Sequence, residues 1–125
     1  MDDLVQFLRD RLEDDEQEAA GASPGPWHAD AEADEVLAVD DIVVAEGFAL
    51  SGRQLRATTH HIARHDPARI LREVEAKREL IRLAEAAHDY HETFMSGFAA
   101  EMEKALRLFA VAYADHPDYR DEWRP

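Results

Sequence analysis

The chain has 125 residues, 28 Asp and Glu against 14 Lys and Arg, a formal net charge of −14 and no cysteine. One domain's length, 46 % hydrophobic residues and the missing thiols exclude wholesale disorder, a disulfide framework and a thiolate metal centre. No apolar run approaches the ~20 residues of a membrane-spanning helix, and the opening Met1-Asp2-Asp3 is acidic where a signal peptide is basic, so a cytoplasmic protein with no membrane segment is expected.

In chain order, Leu4, Leu8 and Leu12 recur every four residues, with Val5 and Phe7 beside them, and predict a helix over 2–20. Asp2 and Asp3 suit its positive end, whereas Glu13-Asp14-Asp15-Glu16 lies toward its negative end. Gly21 and Ser23-Pro24-Gly25-Pro26 then form a stiff loop. Val36, Val39, Ile42, Val43 and Val44 are β-branched around an Asp40-Asp41 turn, which predicts a hairpin of 35–39 with 42–46. A third strand near Trp27–Asp30 is compatible with the pattern, and such a ribbon needs helices to lie on.

Ser51 and Gln54 match a capping box before a helix over 52–64, with Leu55, Thr58 or Thr59, and Ile62 facing inward. Asp66-Pro67 restarts the chain as cap and first helical residue of a helix running into the low 90s. Its seam is Ile70, Val74, Ile81 and Ala84, broadened by Leu71, Leu80, Leu83 and Ala87. Ser96-Gly97 marks a break or kink, and Phe94, Phe98, Met102, Leu106, Phe109 and Tyr113 predict a last helix closed by His116-Pro117. The fold class expected is α+β, mostly α, in a single domain over 1–125. It comprises an acidic helix (1–22), a short antiparallel β-ribbon (27–50), a helical hairpin or bundle (51–114) and an aromatic tail (115–125).

Charge is unevenly spread. Residues 1–50 carry a net of −13, and residues 51–82 a net of +4. This implies a self-complementary fold or homodimer in which early carboxylates meet central guanidinium groups, or an acidic surface kept for a basic protein partner. The basic stretch Arg53, Arg56, Arg64, Arg69, Arg72, Lys77, Arg78 and Arg82 lacks interleaved aromatics. With a pI near 4.7, direct nucleic-acid binding is not the expected activity.

Four stretches, DDLVQFLRDRLEDDEQEA, PGPWHAD, HIARHDPARILREVEAKREL and YADHPDYRDEWRP, resemble a family of small acidic proteins from actinobacteria, notably Streptomyces, and their phages. The resemblance implies a phage or mobile-element origin and no particular activity. Where members of that family often carry a cysteine before the closing segment, this chain has Glu101-Met102-Glu103.

Seven histidines offer the best candidate chemistry. His61 and His65 are one helical turn apart and can supply two ligands to zinc or another divalent metal, with Asp66, His88 or His91 completing the set. The alternative is a group of surface and capping residues, since His65 stands at a helix C-terminus and Asp66 is explained by capping. His65-Asp66 resembles the dyad of helical metal-dependent phosphohydrolases, but Pro67 puts it at a helix junction. The two-histidine zinc-protease pattern, a Gly-rich phosphate loop and a nucleophile elbow are all missing, so no catalytic residue is assigned. Acids at Asp10, Glu13, Asp14, Asp15 and Glu18, with Asp30, Glu32 and Asp34, either mimic DNA phosphate toward a basic groove or form a solvated face. Tyr119 and Trp123 either fold back on the core or anchor a partner. The function expected is a non-enzymatic interaction or regulatory factor. A metal-binding protein or metal-dependent enzyme, and a structural homo-oligomer, are the alternatives.

Overall fold

Leucines at four-residue spacing and acids in the first turn produce the opening helix, α1 (Asp2–Gly21), in the computed structural model. The structure describes residues 1–91 and 96–125, with all side chains among them except those of Tyr90, His91 and Ser96. Three strands follow: β1 (His28–Ala29), β2 (Glu35–Leu37) and β3 (Val43–Glu46). Then come α2 (Gly52–Arg64), α3 (Pro67–His91), α4 (Ser96–Ala110) and two short 3-10 turns, Val111–Tyr113 and Asp121–Trp123. The architecture is α+β and mostly α, as the pattern of periodicities predicts. Two compact units make up the chain: Met1–Asp14 with Glu75–Pro125, and Asp15–Val74.

In the Asp15–Val74 unit the sheet is antiparallel in the order β1-β2-β3. Val36 pairs with Ala45 and Glu35 with Glu46, and a register shift between Val36 and Leu37 brings Leu37 against Val43. The Asp40-Asp41 turn forms as expected: Asp41 takes a left-handed φ of 59°, which a short polar side chain tolerates. Ala38 N then donates to Ile42 O at 2.9 Å. Helix α2 lies against β1 and β2 and buries Thr59 and Ala63, while Val36 and Ala38 are buried from the strands. Strand β3 is left at the edge, and Val39, Ile42 and Val43 are exposed. The β-branched stretch is thus only half used for packing, because α2 packs mainly on β1 and β2.

The α2–α3 junction is built by one carboxylate. Asp66 Oδ1 accepts from Arg69 N at 2.8 Å, capping α3, and Oδ2 accepts from Trp27 N at 2.9 Å. Asp66 is buried. Gly25 makes room for it: a Cβ at that position would stand 2.7 Å from Asp66 Oδ2 and 2.9 Å from Ala68 Cβ. The cap of α2 also forms, Ser51 Oγ accepting from Gln54 N at 3.2 Å.

In the other unit, Leu4, Leu8 and Leu12 of α1, Ile81 and Ala84 of α3 and Ala99, Leu106 and Ala110 of α4 are buried. Leu80, Leu83 and Phe98 depart from the expectation, being exposed together with Leu108 and Val111; Leu71, in the Asp15–Val74 unit, is exposed too. An apolar stripe that wraps a helix says which residues can pack, and the small alanines determine how close the neighbours come. The break or kink expected at Ser96-Gly97 adjoins residues 92–95, which lie outside the described residues. Phe94, assigned to the last helix from its spacing, is among them. Opposite charges do meet between α1 and α3, and one pair has the reverse of the expected signs: Arg9 of α1 pairs with Glu85 of α3. A second early acid, Asp3, meets Arg120 of the tail at 3.0 Å.

The tail folds onto α1. Trp123 is buried with its ring centroid 5.0 Å from that of Phe7, and Tyr119 lies 5.9 Å from Phe7 and 5.7 Å from Trp123. Arg120 stands over Trp123 at 5.4 Å and Arg124 over Tyr119 at 5.6 Å. Of the two readings of these aromatics, the intramolecular one describes their position. Among the described residues no helix is long and apolar enough to cross a membrane.

Candidate functional site

Three features of the Asp15–Val74 unit bring chemistry-bearing residues together. The first is the free edge at β3. From residue 27 to residue 50 the sequence has seven acids and no Lys or Arg. Antiparallel pairing spends alternate backbone groups on the neighbouring strand. Gly47 N donates to Asp34 O at 2.7 Å and Ala45 is the partner of Val36, so the alternation turns the N–H of Glu46 away from β2. Past the register shift Ala38 N donates to Ile42 O with Leu37 opposite Val43, which turns the N–H of Val43 outward and leaves Val44 as the extra residue of the bulge. Beside that edge Ile42 is 58 % and Val43 44 % exposed, and Phe48 and Leu50, just beyond it, are 87 % and 104 % exposed. Asp40, Asp41 and Glu46 around it are exposed as well.

The second is a cleft of about 760 Å³ between β1 and α2, lined by Trp27, His28, His60, His61, Arg64 and His65 among others. The rings of His61 and His65 lie 4.4 Å apart, centre to centre. His65 Nδ1 is 2.8 Å from His61 O. His28 Nε2 points toward Asp41 Oδ1 at 3.7 Å. Of the remaining residues assigned to a histidine metal set, Asp66 is committed elsewhere. Both oxygens of Asp66 are engaged by backbone N–H groups, His88 belongs to the other unit, and the side chain of His91 lies outside the described residues. Asp66 is therefore a structural cap, because a carboxylate that accepts two backbone N–H groups at a buried junction has little left to offer a metal.

The third was singled out from the sequence only in part, Asp30 and Asp34 as members of an acidic face and Glu35 not at all. Asp30, Asp34 and Glu35 bring one carboxylate oxygen each within 4.8 Å of one another, the only such group of three or more metal-capable side chains among the described residues. The turn explains it. Asp30 Oδ1 accepts from Asp34 N at 3.0 Å and Glu35 N at 3.1 Å, with Ala33 between them at a left-handed φ of 55°. The aspartate four residues before an Asp-Glu pair, at the entry to a strand, was the available signal. The backbone hydrogen bond from Glu35 holds the Asp30 carboxyl below its ordinary value. The hydrogen bond to Asp30, then burial and the charge of Asp30, push Asp34 up. Burial, then the charges of Asp30 and Glu46, push Glu35 up.

The signs lead to a pH dependence. Asp34 and Glu35 bind protons more tightly folded than unfolded, so they favour folding as pH falls from neutral toward the ordinary carboxylate range. Asp30 does the reverse, and its contribution is lost only at more acid pH. Asp34→Asn is expected to raise the melting temperature at pH 7 and to flatten its rise between pH 7 and pH 5. An unchanged slope in thermal melts at the two pH values would dismiss the cluster as its source.

On α1, Asp10, Glu13, Asp14 and Glu18 are exposed and Asp15 is half-buried. Asp10 accepts from Gln6 at 2.8 Å and Asp14 from Arg11 at 3.1 Å. Of the central bases, Arg69 pairs with Glu73 at 2.9 Å and Arg82 hydrogen-bonds Glu79 at 3.0 Å, which is neighbour pairing along one helix.

In comparisons with known proteins, the family model described as "Family of unknown function (DUF6221)" matches residues 1–125. No curated protein and no solved structure matches the chain.

Proposed function

The chain belongs to DUF6221, a family of unknown function, and on that footing we propose that it is a non-enzymatic protein-interaction factor whose working surface is the β3 edge. The observation that carries the proposal is the conjunction at that edge: unspent N–H groups, exposed Ile42, Val43, Phe48 and Leu50, and seven acids without a Lys or Arg over 27–50. An exposed, apolar edge strand is a template for another chain. Peptides that add a strand to a sheet gain affinity from backbone hydrogen bonds and specificity from alternate side chains. Charge complementarity selects the occupant: an extended segment in which basic and apolar residues alternate. A cytoplasmic setting and a phage or mobile-element association belong to the same proposal. The missing cysteines support the first, and the resemblance of the four quoted segments supports the second.

The test is fluorescence anisotropy with a labelled ten-residue peptide alternating Lys and Val, against its Glu-Val counterpart. Binding of the basic peptide alone is expected, weaker at higher salt and weakened at least tenfold by Val43→Pro. Proline at 43 removes an outward N–H and leaves the bonds to β2 in place, so the variant's melting curve checks that the fold survives. Equal binding of both peptides, or binding indifferent to Val43→Pro, would refute strand addition. Self-association that the basic peptide cannot displace would assign the edge to a second copy instead.

A further inference from the structure

We propose that His61 and His65 form a binding site for a borderline divalent transition metal, Cu²⁺, Ni²⁺ or Zn²⁺, at the C-terminal end of α2. The site is independent of the β3 edge. The two histidines stand one turn apart on α2 and its C-cap, so their side chains rise from the same face. Their ring centroids are 4.4 Å apart. The contact of His65 Nδ1 with His61 O, 2.8 Å, fixes the chemistry of the ring. A carbonyl oxygen only accepts, so Nδ1 carries the proton and Nε2 keeps the lone pair. This is the arrangement in which a backbone acceptor orients a metal-binding imidazole.

Three surroundings favour a metal. The negative end of the helix dipole lies at this terminus and attracts a cation. Both histidines are exposed and line the cleft of about 760 Å³, which leaves space for the waters that complete a coordination shell supplied with two protein ligands. His28 and His60 line the same cleft. Arg64 works against them, since its positive charge lines the cleft too. Nitrogen ligands without thiolate or carboxylate select Cu²⁺ over Ni²⁺ and Zn²⁺, and all three over the oxygen-seeking Ca²⁺ and Mg²⁺.

The experiment is calorimetric titration of the full, untagged chain with Ni²⁺ and with Zn²⁺, repeated with Ca²⁺. One Ni²⁺ per chain is expected. His61→Ala and His65→Ala should each weaken binding at least tenfold, and Arg64→Gln should strengthen it severalfold. Trp27 lines the same cleft, so Ni²⁺ should quench its fluorescence in the parent and not in the His61→Ala, His65→Ala double variant. Both histidines are exposed, and unchanged melting curves verify that the variants fold. Equal Ni²⁺ affinity in the double variant, or Ca²⁺ binding as tight as Ni²⁺, would overturn the assignment. Loss of binding only in Asp30→Asn would move the site to the carboxylate cluster.

Discussion

Trp123→Ala is expected to destabilise the unit formed by Met1–Asp14 and Glu75–Pro125 by about 3–5 kcal/mol, the range for removing a large buried aromatic. The indole is 6 % exposed and its contacts are concentrated on one helix: Phe7 at 5.0 Å, with Tyr119 stacked edge-on at 5.7 Å. Its removal opens a cavity against Phe7 and frees Arg120 from its position over the ring. Since Arg120 also pairs with Asp3, the tail should detach as a unit. Urea denaturation should show the loss in midpoint, and amide exchange should speed up across 116–124. Trp123→Phe keeps most of the packing and should lose much less. An unfolding free energy within ~0.5 kcal/mol of the parent for Trp123→Ala would mean that the aromatic tail does not hold this unit together.

Asp66→Ala should cost about 2–4 kcal/mol in the Asp15–Val74 unit. Losing the cap of α3 accounts for about 1 kcal/mol, and leaving Trp27 N without its acceptor for roughly 1–3 kcal/mol. Asp66→Asn should fall between, since the amide retains one acceptor oxygen for the two N–H groups that the carboxylate serves. Exchange at the amides of Trp27 and Arg69 separates the two losses, and both should accelerate in Asp66→Ala. If only the Arg69 amide did, the tie from the loop to the helix junction would be dispensable. Gly25 tightens this argument, because any Cβ there would meet the same carboxylate.

How far the chain could be read in advance depends on the range of the forces involved. Caps act within one turn, so Ser51, Asp66 and Pro67 marked helix boundaries that the structure reproduces. The Asp40-Asp41 turn was legible for the same reason. Facing is a longer-range property. Leu71, Leu80 and Leu83 satisfy helical spacing as well as Ile81 and Ala84 do, yet they are exposed, because the neighbours choose which stripe is covered. Likewise β-branching foretold strands but not that α2 would pack mainly on β1 and β2. The exposed edge at β3, on which the proposed function rests, follows from the strand order. The carboxylate cluster depended on a turn with Ala33 left-handed, a conformation that nothing about an alanine announces.

The histidine pair was legible as a pair. Spacing put His61 beside His65, while Asp66 answered two local backbone donors. Charge was legible in amount, and one pair, Arg9 with Glu85, has the reverse of the expected signs, since a single well-placed guanidinium outweighs the average charge of its segment.

Residue-resolved amide exchange at β3, with and without the alternating Lys-Val peptide, tests the strand-edge account most directly. Saturating peptide should slow exchange of the Val43 and Glu46 amides strongly and leave Ala45 and Gly47, already turned toward β2, nearly unchanged. Protection spread over the α1 acids, with Val43 and Glu46 exchanging as fast as before, would contradict it.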